Sequence, residues 1–160
     1  AACETVRYSG RPAGLPDGGG IRPVTAGDMA GILTYDHQCF PAPRGTFLRE
    51  WLREPRIALV SAGSASIAGY GVARRCREGF KVGPLFADRT DLALALFADF
   101  SGRIGNEALH IDVPASQVQF TALLQAAGMT PGFMTTRMYK GGKPGNAPSM
   151  VFGVTTLELG

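Results

Sequence analysis

The sequence lacks the features that mark membrane, secreted and metal-binding proteins. No apolar run approaches the ~20 residues that a membrane-spanning helix requires, and no basic flank precedes an apolar stretch as in a secretory signal. The three cysteines, Cys3, Cys39 and Cys76, are widely spaced and form neither a CxxC pair nor a Cys/His cluster. We therefore expect reduced thiols, no metal site, no membrane partner and a cytoplasmic location.

Charge is also scarce in this chain. The formal net charge is only +3, and no basic stripe or stacking-aromatic motif accompanies it. Such a charge can favour a small anionic ligand, but it argues against a nucleic-acid partner. The 160 residues and their 45% apolar content instead predict one globular domain with a buried core.

A glycine- and proline-rich segment, SGRPAGLPDGGG at residues 9–20, predicts a connector without regular structure. It separates a short strand at residues 5–8 from the regular pattern that follows residue 21. We therefore predict that residues 1–20 are a linker with a stray strand, the end of a preceding domain or part of a partner subunit. Residues 21–160 form the predicted domain. Because the chain does not start with Met, we expect it to be the C-terminal part of a longer protein.

After residue 21 the apolar periodicity predicts the order β-α-α-β-β-β-α-β-α-β-β. The most informative stretch is residues 80–114, FKVGPLFADRTDLALALFADFSGRIGNEALHIDVP. It predicts a buried strand, a tight turn, a helix over about 91–104 and a second buried strand. Elements of this order predict an α/β (α+β) fold, a mixed sheet with helices on both faces.

Four segments carry a family resemblance: GYGVARRCREGFKVGPLFAD, HIDVP, TTRMYKG and the terminal FGVTTLELG. Together they resemble the GCN5-related N-acetyltransferase superfamily, and more narrowly the second domain of tandem bacterial acetyltransferases. The resemblance covers residues 21–160. It implies an acyl-CoA N-acyltransferase-like sheet of six to seven mostly antiparallel strands. It also implies a partner, either a preceding domain of the same superfamily or a second copy in a homodimer.

The resemblance implies one of two functions. The first is transfer of an acetyl group from acetyl-CoA to a primary amine of a small molecule or peptide. The alternative is a non-catalytic auxiliary domain that shapes a pocket, binds a ligand or pairs with a catalytic acetyltransferase domain.

In the family, acetyl-CoA lies along the fourth strand, and a glycine-rich turn donates backbone N–H groups to the pyrophosphate at a helix N-terminus. In this sequence the turn spans residues 87–93 and contains no glycine, while Asp88 and Asp91 place carboxylates where phosphates would lie. Arg89 offsets part of that repulsion. The positions that the resemblance assigns to acetyl-CoA are Leu85, Phe86, Ala87, Arg89, Thr90, Asp91 and Leu92.

Two common catalytic positions of the family lack the usual residue. The tyrosine that protonates the departing thiolate corresponds to Leu124, and the fourth strand carries no glutamate base. The sequence offers Asp36 instead, which continues the apolar stripe of the first helix. Desolvation there disfavours the ionised form of a carboxylate unless it is paired. Asp36 is therefore a candidate to bind or deprotonate an amine, or else a helix-end carboxylate that reaches water or caps the loop at residues 41–45.

Three further groups complete the candidates. His110 and Asp112 share one face of the HIDVP strand, so they are either a base couple or packing groups bonded to nearby backbone. Tyr139, like Tyr70, is either a proton donor or a packing group with a bonded hydroxyl. Cys39, near His37 in sequence, is either a nucleophile or a small buried thiol.

A basic run of four residues surrounds one predicted hairpin turn. It has two interpretations, a contact with phosphate or a solvated hairpin end, and consists of Arg74, Arg75, Arg77 and Lys81.

Overall fold

A computed structural model describes residues 2–63, 66–142 and 144–159. In these residues, eight strands form one sheet and four α-helices pack against it. The strands are β1 (Ala2–Gly10), β2 (Ile21–Pro23), β3 (Ile57–Ala62), β4 (Ile67–Arg75), β5 (Phe80–Ala87), β6 (Leu109–Pro114), β7 (Thr130–Met138) and β8 (Val151–Gly153). The helices are α1 (Met29–Cys39), α2 (Gly45–Trp51), α3 (Thr90–Ile104) and α4 (Val118–Ala126). Single 3-10 turns lie at Ala26–Asp28 and Pro148–Met150. None of the described helices is both long and apolar enough to cross a membrane.

The sheet has the strand order β2-β3-β4-β5-β6-β1-β7, and β8 pairs with β5 outside this path. All neighbours are antiparallel except β5 and β6, which run parallel. The predicted mixed, mostly antiparallel sheet is therefore confirmed. The sheet exceeds the expected six to seven strands because β1, which lies outside the predicted domain, also joins it.

Helices cover both faces of the sheet, as predicted. On one face α3 and α4 pack over alternate strand residues such as Ala73, Leu109 and Ile111. On the other face α1 and α2 pack over Tyr70, Val72 and Phe86. This alternation follows from the period of two in a strand. All eight residues of β5 are buried because this strand lies in the middle of the sheet.

The strand at residues 5–8 is not a stray element in this structure. It lies within β1, between β6 and β7, where Val6 pairs with Val113 and Met134. Its alternating pattern explains the position, because Val6 and Tyr8 pack into the core while Arg7 reaches a buried carboxylate on β6. Residues 11–20 do form a connector without helix or strand. That a further domain precedes residue 1 stays a prediction.

Candidate functional site

The parallel strands β5 and β6 separate after three residue pairs, which opens a cleft in the sheet. They pair at Phe80–Leu109, Lys81–His110 and Val82–Ile111, and no further β5–β6 pair follows among the described residues. Gly83 and Pro84 come next on β5, and Pro84 has no backbone N–H to donate to a neighbouring strand. The GPLFA sequence thus begins where the two strands diverge.

The cleft is filled by the C-terminal segment, residues 151–159. In β8, Val151 and Gly153 pair with Phe86 and Leu85 of β5. The backbone N–H of Val154 then donates to the carbonyl oxygen of Asp112 on β6, at 3.0 Å. The segment therefore bridges both walls of the cleft with backbone hydrogen bonds.

Side-chain packing shows how closely the C-terminal segment fits. Phe152 is 1% exposed, and its ring meets that of Phe120 edge-on at 5.2 Å. Gly83 lies so close to the segment that a Cβ atom there would be 2.5 Å from the Val154 carbonyl oxygen and 2.6 Å from that of Thr155. Only glycine permits this approach of two backbones. The segment is thus part of the core and not a loose tail.

The positions assigned to acetyl-CoA are consequently occupied by other groups. Leu85 and Phe86 are paired with β4 on one side and β8 on the other, and Ala87 is buried against β4. Leu92, on α3, packs into the hydrophobic core. No backbone edge of β5 remains open for a pantetheine arm at Leu85 or Phe86.

The charged side chains in the turn between β5 and α3 are paired with other side chains of the protein. Arg89 Nε donates to Asp91 Oδ1 at 3.0 Å, and this ion pair holds the pKa of Asp91 below its usual range. Asp91 thus stays ionised in the first turn of α3, where a carboxylate is stabilised by the helix dipole. Asp88 accepts a hydrogen bond from the Tyr35 hydroxyl at 2.7 Å. Thr90 begins the helix, and no glycine lets the backbone wrap a pyrophosphate. The residues present do not fit acyl-CoA.

Asp36 is a buried ion-pair partner and not a free base. Its carboxylate, 1% exposed, accepts hydrogen bonds from Arg44 Nε at 2.9 Å and Arg44 Nη2 at 2.7 Å. The Tyr70 hydroxyl also donates to it, and burial raises the Tyr70 pKa well above its usual value, so that hydroxyl keeps its proton. Arg44 Nη1 donates to Thr155 Oγ1 at 2.8 Å, which ties this network to the C-terminal segment. Of the alternatives, the structure favours a carboxylate that holds the loop at residues 41–45.

Arg44 and Thr155 are residues that sequence reasoning did not identify. A signal was available, because a carboxylate on an apolar helix face requires a cation nearby. The loop after α1 contains one, Arg44, whose guanidinium also stacks on the Phe40 ring at 3.9 Å.

Asp112 is likewise held by two cations. Arg7 donates to it through Nε at 2.7 Å and Nη2 at 3.0 Å, and Lys81 forms an ion pair with it. Burial acts to raise the pKa of Asp112, but the bonds from Arg7 and Lys81 outweigh it and hold that pKa below its usual value. A carboxylate stabilised in this way is a poor proton acceptor.

His110 does not form a couple with Asp112. Its Nδ1 lies 2.7 Å from the Ser9 hydroxyl and its Nε2 lies 2.7 Å from the Glu78 carbonyl oxygen. The carbonyl can only accept, so Nε2 carries the proton and Nδ1 accepts from Ser9 in the neutral ring. Both ring nitrogens are therefore engaged, in agreement with the packing alternative.

Tyr139 lines an open cavity beside β1 and β7. This cavity, of about 420 Å³, is also lined by Cys3, Glu4, Arg137, Asn146 and Val151, among others. Neither Asp36 nor Asp112 is among its described lining residues. The structure thus does not bring the three predicted catalytic residues together.

Cys39 behaves as a buried thiol. It is 2% exposed, and burial raises its pKa to about 12, so the thiol stays protonated at neutral pH. Within the described part of the chain, no group of three His, Cys, Asp or Glu side chains is arranged to hold a metal ion.

Comparison with known proteins places this geometry in context. A family model described as an acetyltransferase (GNAT) domain matches residues 32–153. The holothin acyltransferase of Pseudoalteromonas sp. (strain SANK 73390) is 27% identical over 162 aligned residues, which cover 98% of this chain and 54% of that protein.

Solved structures share the fold at lower identity. A candidate acetyltransferase from Pyrococcus horikoshii superposes with a TM-score of 0.77 at 22% identity, over 99% of this chain and 52% of that chain. A GCN5-related N-acetyltransferase from Sphaerobacter thermophilus gives 0.61 at 18% identity, over 83% and 50% of the two chains. The chain thus spans about half the length of these relatives.

Proposed function

The chain belongs to the GNAT acetyltransferase family, and from this premise we propose that it is a non-catalytic half of an acyltransferase that does not itself bind acyl-CoA. One observation carries the proposal: β8 occupies the cleft between β5 and β6, where the family holds the acyl-pantetheine arm. An arm and a strand cannot share one row of backbone hydrogen-bonding groups.

The turn before α3 supports the same function. A pyrophosphate bound there would meet the carboxylate of Asp91, which the Arg89 ion pair keeps ionised. The negative charge of that carboxylate would repel the phosphate groups. The N-terminus of α3, which could otherwise stabilise a bound phosphate, thus already stabilises a carboxylate of the protein.

In the acyltransferase as a whole, acyl-CoA would be bound by another unit. The relatives are about twice as long as this chain, and one of them is named an acyltransferase. We propose that the partner is a second GNAT domain, in the same polypeptide or in a second copy, in the cytoplasm. The acyl group, acetyl in the simplest case, would pass to a primary amine of a small molecule or peptide. This domain would shape the pocket of that amine or stabilise the catalytic unit.

A competing function is acetyl transfer by this domain alone. The divergence of β5 from β6 favours it, because the family uses the same divergence to admit its cofactor. It would require the C-terminal segment to leave the cleft, with loss of the packing of Phe152 and the bond from Arg44 to Thr155.

Calorimetric titration of the 160-residue chain with acetyl-CoA separates the two functions. We expect no saturable heat at millimolar acetyl-CoA, because both the cleft and the turn are occupied. The matched variant Asp91→Gly removes the carboxylate and adds a glycine to the turn while β8 stays in place. We expect it to remain without binding. One-to-one binding by the unaltered chain would refute the proposal that this domain does not bind acyl-CoA, and binding by Asp91→Gly alone would place the block in the turn and not in the cleft.

A further inference from the structure

A cationic cavity lies at the other end of β5 from the α3 turn. Its volume is about 450 Å³, and it is bordered by the β4–β5 hairpin, β6, β1 and the C-terminal segment. Lys81 and Ala87 are six residues apart on β5, which separates this cavity from the turn by ~20 Å. The charged residues that line it are the cations Arg7, Arg74, Arg77 and Lys81 and the carboxylates Glu78 and Glu158, and His110 lines it as well.

The cations of this cavity are only partly neutralised. Arg7 and Lys81 share the single carboxylate of Asp112 beneath the cavity. Arg74 and Arg77 form no salt bridge with an acidic side chain of residues 2–63, 66–142 or 144–159. Two guanidinium groups thus border one concave surface without a direct counter-ion.

Arg74 also keeps a buried donor unused. Its Nε atom is buried and has no hydrogen-bond partner in the described structure. The guanidinium carbon lies over the Trp51 ring, 5.6 Å from the ring centroid. Buried donors without an acceptor are rare in folded proteins, and an acceptor supplied by a ligand is one explanation for such a group.

A carboxylate of the C-terminal segment, Glu158, lies at the cavity beside these cations. The pKa of Glu158 is lowered first by hydrogen bonds from its own backbone N–H and from Thr156, and further by the charges of Lys81 and Arg74. Glu158 is exposed, and among the described residues it forms no salt bridge with Lys81 or Arg74. It contributes a carboxylate at the rim and leaves the guanidinium groups free to bind another anion.

From these contacts we propose that the cavity is a binding site for an anionic group, a phosphate or a carboxylate, with Arg74 and Arg77 as its ligands. Guanidinium groups bind both anions through paired N–H donors. The cavity lies at the opposite end of β5 from the α3 turn, where the family binds pyrophosphate, so the proposed site is distinct from that pyrophosphate position.

Titration calorimetry in a low-salt buffer tests the site, with pyrophosphate and citrate as separate probes. We expect saturable one-to-one binding of at least one probe, and the tighter of the two identifies the site as one for phosphate or for carboxylate. Arg74→Gln should weaken that binding by at least about tenfold. Arg77→Gln should weaken it less, by about threefold, and Glu158→Gln should strengthen it about twofold, since each changes one exposed charge.

The matched control is Arg89→Gln, which removes an arginine from the α3 turn and leaves the cavity intact. We expect it to bind the probe as the unaltered chain does. Because Arg74 packs on Trp51, the thermal midpoint of each variant is measured as well, and Arg77→Gln gives the answer if Arg74→Gln does not fold. Absence of saturable binding, or equal binding by the unaltered chain and Arg77→Gln, would overturn the site. Loss of binding in Arg89→Gln alone would move the anion to the α3 turn and would overturn it too.

Discussion

The two ends of β5 differ in how their polar groups are satisfied. At the end that leads into α3, Arg89 pairs with Asp91, Tyr35 donates to Asp88, and β8 covers the strand edge. At the hairpin end, Arg74 retains a buried donor without a partner in the described structure. The end that corresponds to the family's cofactor site is thus closed, and the end without such a counterpart keeps binding capacity. The shared fold thus does not determine what each end of β5 binds, because that depends on the contacts at each site.

The largest effect should come from loosening the closed end at Phe152. Replacing this buried ring by alanine, Phe152→Ala, should lower the free energy of unfolding by about 4 kcal/mol, the usual cost of a cavity of that size. Urea unfolding followed by circular dichroism measures it. Phe133→Ala is the matched control, because that ring is 51% exposed and should cost less than about 1 kcal/mol. Equal, small losses in both variants would mean that the C-terminal segment is not part of the core, and the contrast between the two ends would disappear.

The second effect concerns the bond between Arg44 and the C-terminal segment. Arg44→Met leaves Asp36 buried without its cation, and breaking such a pair costs about 3 kcal/mol or more. Hydrogen exchange at β8 should also accelerate, because Thr155 loses the donor that holds it. Arg53→Met is the control: Arg53 pairs with Glu50 on the surface, and such pairs contribute less than about 1 kcal/mol. Unchanged exchange at β8 in Arg44→Met would show that the segment is held by its packing alone.

The strands and helices could be predicted from the sequence because each depends on the spacing of apolar residues within a short segment. Apolar residues at a period of two mark β4 and β5, and those at helical spacing mark α3. The helix that the sequence predicts over about 91–104 is α3, Thr90–Ile104.

The contents of the cleft could not be predicted because they depend on pairing between distant segments. Val151 and Phe86 are far apart in sequence, and nothing in MVFGVTTLELG specifies which strand it joins. The same holds for β1, whose alternation predicts a strand but not its place between β6 and β7. Asp36 and Asp112 are catalytic candidates in the sequence, and in the structure both are buried carboxylates paired with cations. Their cations, Arg44, Arg7 and Lys81, become visible only in the folded chain.

The smallest of these effects on stability should occur at the hairpin end, at Asp112. Asp112→Asn removes the charge that Arg7 and Lys81 share but keeps an acceptor, so we expect a loss of about 2 kcal/mol at neutral pH. Because folding lowers the pKa of Asp112, its stabilisation is present above the ordinary aspartate pKa of about 4 and is lost as the pH falls through the folded value. The difference between the unaltered chain and Asp112→Asn should therefore narrow in acid.

Urea unfolding of both proteins at neutral pH and at successive values below about pH 4 measures this narrowing. Asp99→Asn, which breaks the partly exposed pair with Arg103 on α3, should give a loss of about 0.5 kcal/mol or less at neutral pH. If the difference in unfolding free energy between the unaltered chain and Asp112→Asn does not change with pH, then hydrogen bonding and not charge holds this carboxylate.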